Sequence, residues 1–307
     1  MSLYEYQSGM CGSTLAHSAP LRIRAGLLAR DLGGVYMALA ACRSPALTLL
    51  ACVGFLLVVG VARADLATLD QPGDTVALRK EVEMLADALR REPGQAKLHL
   101  LRGFAYFKLR ELDAAIADFD RALSLDPSLD DAYFGRGMAH GRAGDLDAAV
   151  LDLGQYIARN PESTLGYTKR GIRNLWKGDA EAAERDFLRA LELDPANAEA
   201  HDDLGVIYAQ RGEYTKATEH FRACIKSDPS YQKAYHNFAL VCYLVGHNDQ
   251  GLSLVDHSLR LRPDARDSML LKAEFLDRLG RAGEARAIRE EAEFLPEGNW
   301  SERATLQ

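Results

Sequence analysis

Arg102, Arg136 and Arg170 each stand directly before a glycine in a stretch that otherwise reads as apolar, as in "YFGRGMAH" at 133–140. An unpaired buried charge is costly, so a guanidinium there needs partners for its donors. The chemistry open to it is carboxylate recognition, with the carboxylate supplied by the chain itself or by an acidic ligand. Sixteen residues after each arginine comes an aspartate: Asp118, Asp152 and Asp186. Two later segments in the same frame carry Leu204 with His220 and Phe238 with Leu254. Arginine and aspartate thus appear together and disappear together. That covariation favours a structural ion pair joining two elements, within one unit or to its neighbour, over a ligand anchor.

Other residues that could do chemistry fit no reactive pattern. The chain has no GxSxG, phosphate loop, HExxH or paired CxxC. His99, His140, His201, His220, His236, His247 and His257 invite a metal hypothesis, most of all "AHDD" at 200–203. However, His99 and His201 occupy the slot of Tyr133, Tyr167 and Tyr235, and His140 replaces a tyrosine such as Tyr106. They stand in for aromatics without a ligand spacing, so no metal, cofactor or catalytic residue is expected. Cys224 and Cys242 could pair in an exported protein, but both fall at small or core positions, where buried thiols are expected.

The elements behind these residues divide into two materials. Residues 1–64 hold five of the 37 basic and two of the 44 acidic residues, leaving 32 basic against 42 acidic in the remainder. An acidic balance gives no footprint for nucleic acid. In the first part, "PALTLLACVGFLLVVGVA" (45–62) follows Arg43 and ends at "ARA" (62–64). A basic flank, an apolar run and small residues at the cleavage positions make a signal peptide at 37–64, cleaved after Ala64. The protein is then periplasmic or secreted; an uncleaved run would instead anchor it in the inner membrane. Residues 1–36 are expected to be a spurious extension, with translation starting at Met37. "LAAC" (39–42) and "LLAC" (49–52) resemble lipoprotein boxes but lack the apolar run in the right place.

The second part is periodic. Pro93, Pro127, Pro161, Pro195, Pro229 and Pro263 are spaced 34 residues apart. Each interval holds two runs of helical periodicity. A glycine (144, 178, 212, 246) divides them and the proline ends the second. Small residues recur where helices must approach: Gly103, Gly137, Gly171 and Gly205 in the first run, Ala115, Ala149, Ala183 and Ala217 in the second. Aromatics such as Phe119, Phe187, Tyr208 and Phe221 fill between them.

This pattern closely resembles the tetratricopeptide repeat. The resemblance implies an all-α, right-handed superhelical solenoid of antiparallel helix pairs, with first helices lining the concave face and no enzymatic activity. It covers five repeats at 96–265. Residues 65–95 read as a linker and N-terminal capping helix, 266–294 as a sixth, capping pair whose last helix turns polar, and 295–307 as a tail. The resemblance also implies a protein or peptide partner. One subgroup of the family grips a terminal carboxylate with Lys and Asn at two groove positions of its first repeat. Leu100 and Phe104 stand there, so that clamp is missing. The groove stripe reads Phe104, Met138, Ile172, Val206 and Leu240, joined by Leu100, Phe107, Phe134, Trp176 and Tyr243. An apolar groove of this kind suits an amphipathic helix or an extended apolar peptide. The same residues could instead be interhelical packing, or lie under the N-terminal helix or a tail carrying Phe294 and Trp300. The expected function is a non-enzymatic adaptor or scaffold in the bacterial cell envelope. The alternatives are an accessory subunit of an envelope enzyme or metal-dependent protein, or a membrane-anchored member of a secretion machine.

Overall fold

The computed structural model describes residues 66–71 and 73–295. The expected signal segment, the extension before it and the tail beyond Leu295 lie outside the described residues. Among the described residues there are thirteen α-helices and no strand. No helix in that set is long and apolar enough to cross a membrane.

Helix α1 (Thr75–Arg91) precedes six antiparallel pairs. These are α2/α3 (Ala96–Lys108, Leu112–Leu125), α4/α5 (Asp130–Ala143, Leu146–Arg159) and α6/α7 (Thr164–Lys177, Ala180–Leu193). They continue with α8/α9 (Ala198–Gln210, Tyr214–Ser227), α10/α11 (Gln232–Val245, Asn248–Leu261) and α12/α13 (Arg266–Arg278, Ala282–Glu293). Every helix packs on the next in sequence, and each first helix also packs on the first helix of the following pair. Second helices do not pack on one another in the same way, so the superhelix carries its first helices on the inner face.

Local chemistry sets the helix ends. The side chains of Asp145, Ser163, Asp179 and Asn197 cap α5, α6, α7 and α8 by accepting from backbone N–H groups three residues on, at 2.9–3.1 Å. At the other end, Asp126, Asp194 and Asp228 each accept a backbone N–H two residues on, at 2.9–3.0 Å, and the intervening proline cannot extend the helix. Between the two helices of a pair, the chain turns through the left-handed region at Gly144, Gly178, Gly212, Gly246 and Gly280. The first repeat makes the same turn with Arg110, at φ 64°.

The pairs close because a small residue faces a large one. A Cβ at Gly205 would lie 2.5 Å from the Phe221 ring, so only glycine admits this approach of α8 to α9. Ala115, Ala149, Ala183 and Ala217 are fully buried opposite, as are Phe119, Phe187 and Phe221. Cys224 and Cys242 are free, buried thiols in this core, and burial raises the pKa of both, Cys242 to about 11.

Candidate functional site: the concave face

The first helices bring the apolar stripe to the inner face, but most of it is inaccessible. Leu100, Phe104, Phe107, Phe134, Met138, Ile172 and Val206 are all buried, Phe107, Phe134 and Met138 completely. They do not form an open apolar groove, which corrects the expectation from the sequence. Part of the reason is packing between helices. Phe104 meets Phe119 edge-on at 5.1 Å between centroids, and Phe134 meets Tyr156 at 5.0 Å. Trp176, Leu240 and Tyr243 keep partial exposure, and they are the accessible remainder of the stripe.

The other reason is an occupant. Residues 66–71, expected to be linker, lie against the inner face instead. Leu66–Thr68 forms one 3₁₀ turn, and Leu69, 1% exposed, joins the apolar cluster of Leu100, Phe104 and Phe107. Leu66 packs on the same cluster. Next along the chain, the Asp70 carboxylate sits between two cations: Arg142 Nη2 donates to Oδ1 at 2.8 Å, and Lys169 Nζ lies 3.1 Å from Oδ2. The Arg142 guanidinium lies 4.1 Å from the centre of the Phe107 ring, so it bridges the apolar wall and the carboxylate. Burial pushes the Asp70 carboxyl up, but Lys169 and Arg142 outweigh it and hold the group below the ordinary value.

Lys169 is the hinge of the site's electrostatics. Its ammonium donates to both Glu199 oxygens, at 2.8 and 3.0 Å. Burial opposes its charge, but Glu199 and Asp70 overcome that and raise its pKa above the ordinary lysine value. Beyond it, the inner face turns acidic and polar. Asp202 accepts from Asn237 Nδ2 at 3.1 Å, and burial pushes its pKa up to about 6. Burial, with Asp202 and Glu199 adding to it, lifts the Asp203 carboxyl well above the ordinary carboxylate value. His236 Nδ1 is bonded to Ser268 Oγ at 2.9 Å, and burial pulls its pKa down to about 4. Among the described residues, no group of three or more His, Cys, Asp or Glu is arranged to hold a metal ion.

The arginine–aspartate residues selected by the sequence meet in three bidentate pairs. Arg102 Nε and Nη2 donate to Asp118 at 2.7 and 2.8 Å, Arg136 to Asp152 at 2.7 Å twice, and Arg170 to Asp186 at 2.9 and 2.6 Å. Each joins the two helices of one pair. Arg136 also reaches Asp120 of the preceding pair, at 2.6 Å. His99 adds a bond to Asp118 at 2.9 Å and Asn174 one to Asp186 at 3.1 Å. Asp118, Asp152 and Asp186 are 4–5% exposed, and the bonds to Asp152 are the first reason that the Arg136 pKa lies above its usual value. These arginines brace the frame and take no part in the groove.

Sequence reasoning missed Asp70, Arg142, Lys169 and Glu199. Lys169 had a signal: its register position is Leu101 and Gly135 earlier in the array, and Asp203 and Asn237 later. A polar run beginning there marks the change of character along the inner face. Asp70 lies outside the repeat and had none.

Three tetratricopeptide repeat family models match this architecture, at residues 96–129, 131–163 and 169–231. The chain is a tetratricopeptide repeat protein. Solved structures share the fold. The Cut9–Hcn1 hetero-tetramer of APC/C is similar at 18% identity, with TM-score 0.64 over 80% of this chain and 49% of that one. This chain therefore spans about half the length of that relative. A tetratricopeptide repeat protein of Parabacteroides merdae is 20% identical, with TM-score 0.60 over 72% and 88% of the two chains. PilF of Pseudomonas aeruginosa is 16% identical, with TM-score 0.59 over 66% and 92%. No curated protein matches the chain. Tetratricopeptide repeats mediate protein–protein interaction, and the fold is in general a non-enzymatic scaffold.

Proposed function

We propose that the chain is an adaptor of the bacterial cell envelope, exported through its N-terminal signal and binding a protein partner on the concave face. The observation that carries this reading is the seating of Leu66–Asp70 on that face, since the inner helices already accept a peptide segment from outside the repeat. Partially exposed Trp176, Leu240 and Tyr243 continue the same face towards the C-terminal end, and aromatic residues there are suited to anchoring a partner. The export half of the reading rests on the apolar run at 45–62 and the "ARA" that follows it.

The test is site-specific photo-crosslinking in cells. A photoreactive residue at Trp176 or Leu240 is expected to trap a discrete protein adduct. The same probe at Leu151 or Leu188, exposed on second helices, is expected to trap none. Adducts confined to Leu151 and Leu188 would move the docking surface off the concave face. For export, N-terminal sequencing of the mature protein is expected to begin at Asp65. Retention of residues 1–36 on the exported product would overturn both the signal and the start at Met37.

A further inference from the structure

We propose that the inner face between Phe104 and Lys169 recognises a peptide presenting an apolar side chain followed by a carboxylate, and that Leu66–Asp70 occupies this surface in cis until such a peptide displaces it. The proposal rests on the concave face being the docking surface, and adds to it the chemistry of the partner and the state of the groove without one.

Three features of the site define that chemistry. The apolar half is a buried cluster that Leu69, 1% exposed, shares with Leu100, Phe104 and Phe107. The charged half pairs a guanidinium with an ammonium, at 2.8 and 3.1 Å from the two oxygens of one carboxylate. Glu199 offsets part of that positive charge, and Arg173 adds to it nearby, so the site favours a ligand carboxylate in the place of Asp70. The two halves are welded together, because Arg142 rests on the Phe107 ring. A ligand therefore gains most when a leucine-like side chain and a carboxylate are adjacent, as in Leu69-Asp70.

The occupant is suited to being replaced. It is short, with a single 3₁₀ turn of three residues, and Leu66, Leu69 and Asp70 are among the residues that seat it. A segment that brief owes much of its occupancy to its tether, which supplies an effective concentration on the order of millimolar. A partner of the same chemistry, with contacts extending over Trp176 and Leu240, competes by adding what the short segment lacks. The affinity of the groove is then set by the difference between two ligands, and any change that weakens the cis segment raises the affinity for the partner.

The experiment uses the full chain and one synthetic probe, a fluorescent peptide with the sequence of residues 65–74, DLATLDQPGD. Anisotropy titrations compare the wild-type chain with Asp70→Lys, which places another cation beside Arg142 and Lys169 and expels the cis segment. Leu69→Asp serves as a second route to the same state, and thermal melts confirm that both variants remain folded. The Asp70→Lys and Leu69→Asp chains are expected to bind the probe at least tenfold more tightly than wild type. A probe with lysine at its aspartate counterpart of position 70 is expected to lose that binding, and so is Arg142→Gln in the Asp70→Lys background. The proposal is overturned if neither folded variant binds the probe, or if wild type binds it as tightly as both. Failure of the probe alongside adducts at Trp176 or Leu240 would sink this inference and leave the docking surface standing. Probe binding without an adduct at Trp176 or Leu240 would keep the recognition chemistry and confine the docking surface to the section between Phe104 and Lys169.

Discussion

The first three repeats and the last two full repeats solve the same packing problem with opposite materials. In the first three, a buried bidentate ion pair ties first helix to second, as at Arg136 and Asp152. In the fourth the corresponding residues are Leu204 and His220, with Leu204 fully buried, and in the fifth they are Phe238 and Leu254. The helices keep lengths of 13–14 residues, and every pair turns through the left-handed region. The backbone register is therefore not specified by the ion pairs. It is specified by the proline and by the small residues on the facing helices, glycine opposite alanine in the first four repeats and Ala239 with Gly251 in the fifth, while the tie between the helices is free to be ionic or apolar. The inner face follows the same division: it is apolar and basic where it meets Leu69 and Asp70, and acidic and polar around Asp202 and Asp203.

The largest expected effect breaks an ionic tie on one side only. Arg136→Ala leaves the Asp152 carboxylate, 4% exposed, without its bidentate partner, and is expected to cost about 3–5 kcal/mol. Copying the fifth repeat with Arg136→Phe and Asp152→Leu together is expected to cost far less. Chemical denaturation of both variants checks this. A double variant as unstable as the sum of its single changes would mean that the two repeat types are not interchangeable solutions.

A comparable loss is expected in the core of the inner face. Phe134→Ala removes a fully buried ring packed edge-on against Tyr156 and is expected to cost about 3–5 kcal/mol, the range for large-to-small core changes. Trp176→Ala, at a partly exposed site, is expected to shift the melting curve less while weakening partner capture. Equal destabilisation by both would place Trp176 in the frame too.

These expectations show what the sequence could and could not reveal. The 34-residue proline spacing, the Gly205-type approach to Phe221 and the coupled Arg136 and Asp152 are local or strictly periodic features, so one chain displays them. Whether Phe104 or Met138 faces solvent depends on how tightly successive pairs wind and on what lies against them. Leu69 and Asp70 come from outside the repeat, so no periodicity points to them. Lys169 and Glu199 differ from their counterparts in other repeats, and a reading that looks for shared letters passes over them.

The acidic end of the inner face gives a pH-dependent contrast. In the folded chain Asp202 titrates at about 6 instead of the ordinary 3.8, because burial disfavours its charge. The folded state therefore holds a proton that the unfolded chain has released, and stability falls as pH rises from about 4 to about 6. Asp202→Asn removes that term and can still accept from Asn237. Its stability gain over wild type is expected to be near zero at about pH 4, to grow to on the order of 1–3 kcal/mol by about pH 7, and then to level off. His236, pulled down to about 4, contributes the opposite slope, but it is present in both chains and cancels in the difference. Glu199, Lys233, Asn237 and Asp203 surround the site, so Asp203→Asn is the control for a contribution from its neighbour. A gain that does not change between pH 4 and pH 7 would show that Asp202 is not protonated in the folded chain.

The smallest effect concerns the one turn that departs from its copies. Every other pair passes from first to second helix through a glycine at φ 76–92°, whereas the first repeat uses Arg110 at φ 64°. An L-residue with a side chain meets its own backbone in this region, at a cost of about 1–2 kcal/mol that glycine avoids. Glycine also gives the unfolded chain more freedom, which takes back part of the gain. Arg110→Gly is therefore expected to stabilise the chain by up to about 1 kcal/mol. Gly144→Arg, the reverse exchange in the second repeat, is expected to destabilise it by a similar amount. Nothing meets a Cβ built at Gly144 within 4 Å, so backbone conformation alone accounts for that loss. Paired melts of the two variants give the sign of each effect. If Arg110→Gly were neutral while Gly144→Arg was costly, the arginine side chain would be earning its place through contacts particular to the first repeat, and the turn would join the ion pairs as a position where the copies differ for a reason.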